Sequence, residues 1–442
     1  MRRILFLGFF IVFTLVIFGQ GGFQFDKGIN KVTIPFQHIN NLIFIPINVN
    51  GVELHFLLDT GVEETILFSM EDKKEVNFYN VEKIQLRGLG SETSIEGLKS
   101  TSNTLDVKWL KSLNHLVYIV LDQSFNLSSH VGIPVNGIIG YNFFKNNLVE
   151  VNYTKKRIIV YAENEKNRDR IGKKFEPVPI TIERSKPYLM GKVSVSTAEI
   201  PAKLLLDIGN SDAIWLFENK ERGLAIPAKN FEDYLGKGFS GDVEGKRAQI
   251  SKFSFSKFDF KNPIVAFPDS SSIQNVKMVQ DRAGSVGAEI LRRFNLVFDY
   301  SNKQLFLKKN DNYGSPFKYN KSGVELQHYG LQWVQETVRL ETVPYKGTIT
   351  IENGAIVQSN FRYKFVLKPI YLVAHVRKNS PAAISGLQKG DVIVSINNRP
   401  GYDYSLEKIN ALLKSEEEDW ISFEVERESQ ILKFKFQLQN VL

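Results

Sequence analysis

Through the first three hundred positions, apolar residues fall into short runs separated by turn-forming clusters. Leu42-Ile43-Phe44-Ile45-Pro46-Ile47-Asn48-Val49, Ile158-Ile159-Val160-Tyr161 and Leu305-Phe306-Leu307 are such runs. Their β-branched and aromatic content suits strands. Helical periodicity is weak here, and only residues 141–147 and 288–294 suggest helices, both short. The closely spaced turns predict a mainly β part built as compact barrels or sandwiches.

Beyond Lys309 the pattern changes. Residues 310–322 are polar and read as a linker, and residues 324–347 carry mixed signals. Ile370-Tyr371-Leu372-Val373-Ala374-His375-Val376 is strand-like. Ser380 and Pro381 then open a short helix that Gly386 closes. Val392-Ile393-Val394-Ser395-Ile396 is a further strand. Leu406, Ile409, Leu412 and Leu413 share one helical face, and Ile421-Phe423-Val425 and Leu432-Phe434-Phe436-Leu438 alternate as two strands.

The mainly β part repeats itself. Phe56-Leu57-Leu58-Asp59-Thr60-Gly61 returns 148 residues later as Leu204-Leu205-Leu206-Asp207-Ile208-Gly209. The same offset carries Gly88, Gly90 and Gly97 onto Gly236, Gly238 and Gly245. An offset of 147 carries Gly137-Ile138-Ile139-Gly140 onto Gly284-Ser285-Val286-Gly287, and Tyr153 onto Tyr300. A unit of this length is a domain rather than a solenoid module. Two related lobes are expected, at 27–163 and 174–308, with the charged stretch 163–170 as connector.

An apolar run ending in Asp, with Gly two positions on, suits a strand entering a tight turn. The carboxylate then sits at the end of a rigid element. Two lobes related by an approximate two-fold axis bring Asp59 and Asp207 face to face. Two carboxylates about 3 Å apart cannot both ionise, so they share a proton. One accepts a proton from water while the other donates to a carbonyl oxygen, the combination that peptide hydrolysis needs.

Asp59-Thr60-Gly61 after its apolar run, with Gly137-Ile138-Ile139-Gly140 some 80 residues on, resembles the retropepsin-type and pepsin-type aspartic proteases, here with both lobes in one chain. The resemblance implies two duplicated acid-protease-type β-barrel lobes and a catalytic pair, Asp59 and Asp207. It implies support from Thr60, Gly61, Gly209 and Ser211, and flaps at 86–97 and 235–245 in which Gly88, Gly90, Gly236 and Gly238 meet substrate. Ile208 departs from the family, which has Thr or Ser there to hydrogen-bond the opposite loop; Val62 and Asn210 also depart. Ser380-Pro381-Ala382-Ala383-Ile384-Ser385-Gly386-Leu387, followed by Lys389-Gly390-Asp391-Val392-Ile393, closely resembles a bacterial PDZ domain, an α+β module expected over 350–442 after an extension at 309–349. Such a module holds an extended peptide end at a sheet edge.

Composition narrows the chemistry. Hydrophobic residues make up 43% and charged residues 24% of the 442, and cysteine is absent. That excludes a thiol nucleophile, a disulfide scaffold and a cysteine-held metal. Six histidines lack metal-ligand spacing, so no metal and no cofactor is implied. The net charge of +8 is scattered beside strand-like runs such as Lys155-Lys156-Arg157 and Arg292-Arg293. It reads as solvated strand edges, not a nucleic-acid surface. Arg2-Arg3 before the apolar residues 4–18, then Gly19, Gly21 and Gly22, fit a signal peptide over 1–22. The expected setting is the periplasm or cell envelope, with membrane association only if that segment is retained. The expected activity is an exported aspartic endopeptidase acting on peptides or unfolded protein, its PDZ module holding a peptide terminus. The alternative is a catalytically degenerate, peptide-binding envelope scaffold.

Overall fold

The computed structural model describes residues 21–68, 75–86, 95–122, 127–195, 198–238, 241–274, 276–339, 349–352, 355–358, 361–416 and 418–442. The signal-peptide reading rests chiefly on residues 1–20, which lie outside the described residues, as do Gly88 and Gly90.

The first half is built on a nine-stranded sheet and the second on a ten-stranded one. In each, the short glycine-bearing strand lies between the strands that flank the aspartate turn. Gly137–Ile139 runs parallel to Val52–Leu58 and antiparallel to Thr65–Leu67. Arg282–Gly287 runs parallel to Ile200–Asp207 and antiparallel to Ile214–Leu216.

The expectation of two β-barrel lobes is corrected here. The first sheet ends at Gln24–Phe25 and Glu82–Leu86, the second at Asn230–Gly238 and Phe258–Lys261, and in neither do the end strands pair with each other. In the first, the hairpin Ile95–Val107 with Leu110–Val120 folds the sheet across itself, yet among the described residues its two end strands do not pair with each other. The reason lies in strands drawn off elsewhere. Lys31–Pro35, Arg157–Ala162 and Asn147–Asn152 join Phe294–Asp299, Gln304–Lys309 and Glu176–Pro179 in one six-stranded sheet common to both halves. Its central seam pairs Val149 with Phe298 and Val151 with Leu296. A single apolar core accordingly runs through both halves, from Phe23 to Leu307.

The charged stretch between the halves is a helix, Glu165–Gly172, capped by Asn164, whose side chain accepts from Asn167 N at 2.9 Å. Arg168 on it donates to Asp299 at 2.8 Å, tying it to the shared sheet. Arg293 differs from the solvated-edge reading: it is fully buried, stacked 3.9 Å from the Phe317 ring. Its guanidinium donates to Tyr313 O and to Glu289 Oε1, and so pins the polar stretch after residue 309 against the second half.

The C-terminal module has its own core, including Val324, Val373, Ile409, Phe423 and Leu438. Its sheet runs, in order, through Val324–Arg339, Phe361–Val376, Val392–Ile396, Trp420–Arg427 and Gln430–Gln437. Two helices complete it. Pro381–Ser385 has the Ser380 cap and a left-handed Gly386, and Leu406–Leu413 is capped by Ser405. Residues 324–339, whose pattern was mixed, form one half of a long two-stranded ribbon. Register shifts beside Leu326 and Gly330 break the regular alternation there.

Candidate functional site

Both aspartates stand where an apolar strand meets a turn. Phe56, Leu57 and Leu58 are buried before Asp59, and Leu204, Leu205 and Leu206 before Asp207. Asp59 N donates to Ile139 O at 2.9 Å, anchoring the turn on the glycine-bearing strand behind it. That strand approaches so closely that no side chain fits at its end. A Cβ on Gly140 would collide with Val62 O, and one on Gly287 with Asp212 O. The two glycines are therefore needed for contact, not for an unusual φ.

The two turns meet across the approximate two-fold. Gly61 N donates to Asp59 Oδ1 at 2.7 Å, and Gly209 N to Asp207 Oδ1 at 3.1 Å. Gly61 also backs onto the opposite carboxylate: a Cβ there would lie 3.0 Å from Asp207 Cγ, and one on Gly209 would collide with Asp59. Thr60, fully buried, donates to Leu206 O at 2.6 Å and accepts from Ile208 N at 3.1 Å. No reciprocal bond is possible from Ile208, whose side chain is fully buried in the apolar core. One loop grips the other, and the return grip is missing.

Burial disfavours charge on both carboxyls. Burial and the neighbouring Asp207 hold the Asp59 carboxyl well above the usual carboxylate range. Asp207 is raised as well: burial pushes it up, while Arg282, Asp59 and Lys186 pull it down. Two buried carboxyls this close favour one proton shared between them. Arg282 and Lys186 both line the cleft. Sequence reasoning missed them because the repeat does not mark them: at the offset of 147 Arg282 stands opposite Val135, and Lys186 lies outside the repeated segments.

The other expected residues are distributed as follows. Gly236 and Gly238 line the cleft on the hairpin Asn230–Gly238 with Gly241–Gln249. Gly236 has φ +136° beside a register shift, a conformation suited to glycine. Ser211 is exposed and contributes its carbonyl, which accepts from Asn41 Nδ2 at 2.8 Å. Asn210 serves its own loop, accepting from Asp212 N at 3.0 Å. His115 is buried between the hydroxyls of Thr65 and Ser112, each 2.7 Å away. Burial lowers its pKa to about 3, so it stays neutral and remote from the pair's chemistry.

Sequence reasoning also missed an ionic cluster. Arg247 donates to Asp212 at 2.8 Å and to Asp233 at 2.6 Å. Asp212 in turn accepts from Trp215 Nε1 at 2.8 Å. The repeat held a signal for it: the offset of 148 carries Glu64 onto Asp212 and Lys99 onto Arg247, matching charge for charge.

Around the pair opens a cleft of ≈ 1420 Å³, larger than the ~300–1,000 Å³ of small-ligand pockets. Its walls include Tyr118 and Leu86 of the first half and Tyr234 and Lys237 of the second. Gln327 and His375 of the C-terminal module complete them.

Residues 372–427 match the PDZ domain family, and the chain carries a C-terminal PDZ domain. Among solved structures, the aspartic proteinase from Irpex lacteus is similar at 13% identity and a TM-score of 0.41, over 64% of this chain and 99% of that one. This is a weak, partial likeness to the aspartic-protease fold. No curated protein matches the chain.

Proposed function

We propose that the chain binds an extended polypeptide in the cleft between its halves and hydrolyses it at the Asp59/Asp207 pair. The observation that carries this reading is the pair itself. Two carboxyls, each at the end of a buried strand, are held by backbone donors with one proton favoured between them.

The step follows from one shared proton. The ionised carboxyl of the pair takes a proton from a water molecule held between them, and the water oxygen attacks the peptide carbonyl. The protonated carboxyl gives its proton to the carbonyl oxygen. On collapse of the tetrahedral intermediate the first carboxyl passes its new proton to the departing amine, and the second takes one back from a hydroxyl of the intermediate, which restores the singly protonated pair. The hairpin bearing Gly236 and Gly238 is proposed to cover the bound chain. The PDZ domain supports a role in holding a peptide end by strand addition. The basic start and apolar run of residues 2–18 support an exported setting.

The second reading is a peptide-holding protein that does not hydrolyse, and Ile208 favours it by removing the return grip between the loops. The two separate in one experiment, in which the mature chain, Asp59→Asn and Asp207→Asn are each incubated with unfolded casein. Hydrolysis by the parent that falls about 10²–10⁴-fold in both variants supports the catalytic pair. Equal cleavage by all three sinks the paired-carboxyl mechanism. Binding without cleavage by all three leaves the second reading standing.

A further inference from the structure

The PDZ domain touches the second aspartate loop through two chains of polar contacts. In the first, Arg377 of the PDZ domain is buried against the Phe231 ring, 4.2 Å away, and lies 3.7 Å from Asp233 on the cleft hairpin. Asp233 accepts from Arg247, and Arg247 reaches Asp212, five positions after Asp207. In the second, Asn410 on the helix Leu406–Leu413 donates to Asn40 at 3.3 Å. Its neighbour Asn41 donates to Ser211 O at 2.8 Å and to Glu289 at 2.9 Å. Asn40 and Asn41 hold their turn with φ of 49° and 70°. Glu289 is itself held by Arg292 and Arg293.

These contacts converge on residues 211 and 212 and on no part of the Asp59 loop. Around them Tyr234 of the second half stacks on His375 at 5.4 Å, and Tyr319 of the stretch that leads into the PDZ domain donates through Oη to Asn440 at 2.7 Å. The side chains of the first network, Arg377, Asp233, Arg247 and Asp212, are largely buried and have few alternative arrangements, so a shift at one end is felt at the other; the second network is partly exposed and acts through its hydrogen bonds.

We propose that the PDZ domain positions the Asp207 loop. Arg377 acts through Asp233 and Arg247 on Asp212, and Asn410 acts through the Asn40–Asn41 turn on Ser211. Seating of the domain sets the placement of one carboxyl against the other. The functional half of this inference rests on the hydrolytic reading above; the positioning half does not.

The test uses the full chain, with Arg377→Ala, Arg377→Lys and Asp233→Asn. Amide hydrogen exchange is followed at residues 208–213 and 59–62, beside kcat and KM on unfolded casein. In Arg377→Ala and Asp233→Asn, exchange at 208–213 quickens about tenfold while 59–62 is unchanged. In the same variants kcat falls about tenfold with KM within about twofold. Arg377→Lys restores much of both. If Arg377→Ala unfolds the PDZ domain, Asp233→Asn, which leaves that domain's sequence intact, gives the same readout. Unchanged exchange at 208–213 in folded variants overturns the proposal, as does equal quickening of both loops. Quickened exchange at 208–213 in a chain that cleaves no better than Asp207→Asn leaves the positioning role standing and removes the hydrolytic reading instead.

Discussion

At the residue scale the account turns on where one proton sits. Both carboxyls are pushed up by burial, and Asp59 is pushed further by the neighbouring charge. A carboxyl whose folded pKa is raised binds its proton more tightly in the folded state. Its stabilising contribution is therefore complete below the usual carboxylate range. It is lost as pH rises through the raised value, at up to about 1.4 kcal/mol per pH unit. Asp59→Asn removes that loss. The variant is expected to melt higher than the parent at pH 7, with the gap closing as pH falls below the ordinary Asp range. Thermal melts over a pH series check this, and a variant less stable than the parent at pH 7 contradicts it. The placement of the two aspartates and the two turn glycines was legible in the sequence because the repeat set them in register; Thr60 entered only through the family resemblance, since the repeat has Ile208 there. Ile208 was legible as a departure, and its burial shows that its own side chain makes no bond to the opposite loop.

At the scale of elements, the site depends on a glycine-bearing strand passing directly behind each aspartate turn. Gly140→Ala and Gly287→Ala each drive a methyl into a backbone carbonyl that cannot yield without moving the loop. Each is expected to destabilise the fold by about 1–3 kcal/mol, as overpacked cores do, and to depress cleavage. Gly314→Ala, with nothing within 4 Å and no left-handed φ, serves as the neutral control. Denaturant midpoints for the three variants give the comparison, and equal midpoints contradict the close-approach argument. A few strands of the first 309 residues, among them Leu42–Val49, Arg157–Ala162 and Gln304–Lys309, and the two PDZ helices could be read from apolar runs, caps and turn residues. The ribbon of Val324–Arg339 with Phe361–Val376 could not, because register shifts at Leu326 and Gly330 scramble the period that marks a strand.

At the scale of the whole molecule, the sequence showed a duplication but not how its copies join. Alternation marks a strand as half-buried without naming its partner. The barrels expected from it give way to open sheets, their outer strands pooled in a sheet common to both halves. Since Val149, Glu150 and Val151 pair across that seam and one core runs through both halves, the halves are expected to unfold together. Calorimetry should resolve one transition for the two-lobed body, with a second only for the PDZ domain and its separate core. Separate transitions for the two halves would contradict a shared core. The contacts from Arg377 and Asn410 into the Asp207 loop belong to this scale too. They lie between segments far apart in sequence, where no local pattern marks them.

The most direct measurement is the pH dependence of kcat/KM for cleavage of an unfolded protein by the chain. A pair sharing one proton predicts a bell, falling at low pH as the pair gains a second proton and at high pH as it loses its last. Both limbs should vanish with activity in Asp59→Asn and Asp207→Asn. A flat profile, or a bell that survives either substitution, contradicts the account.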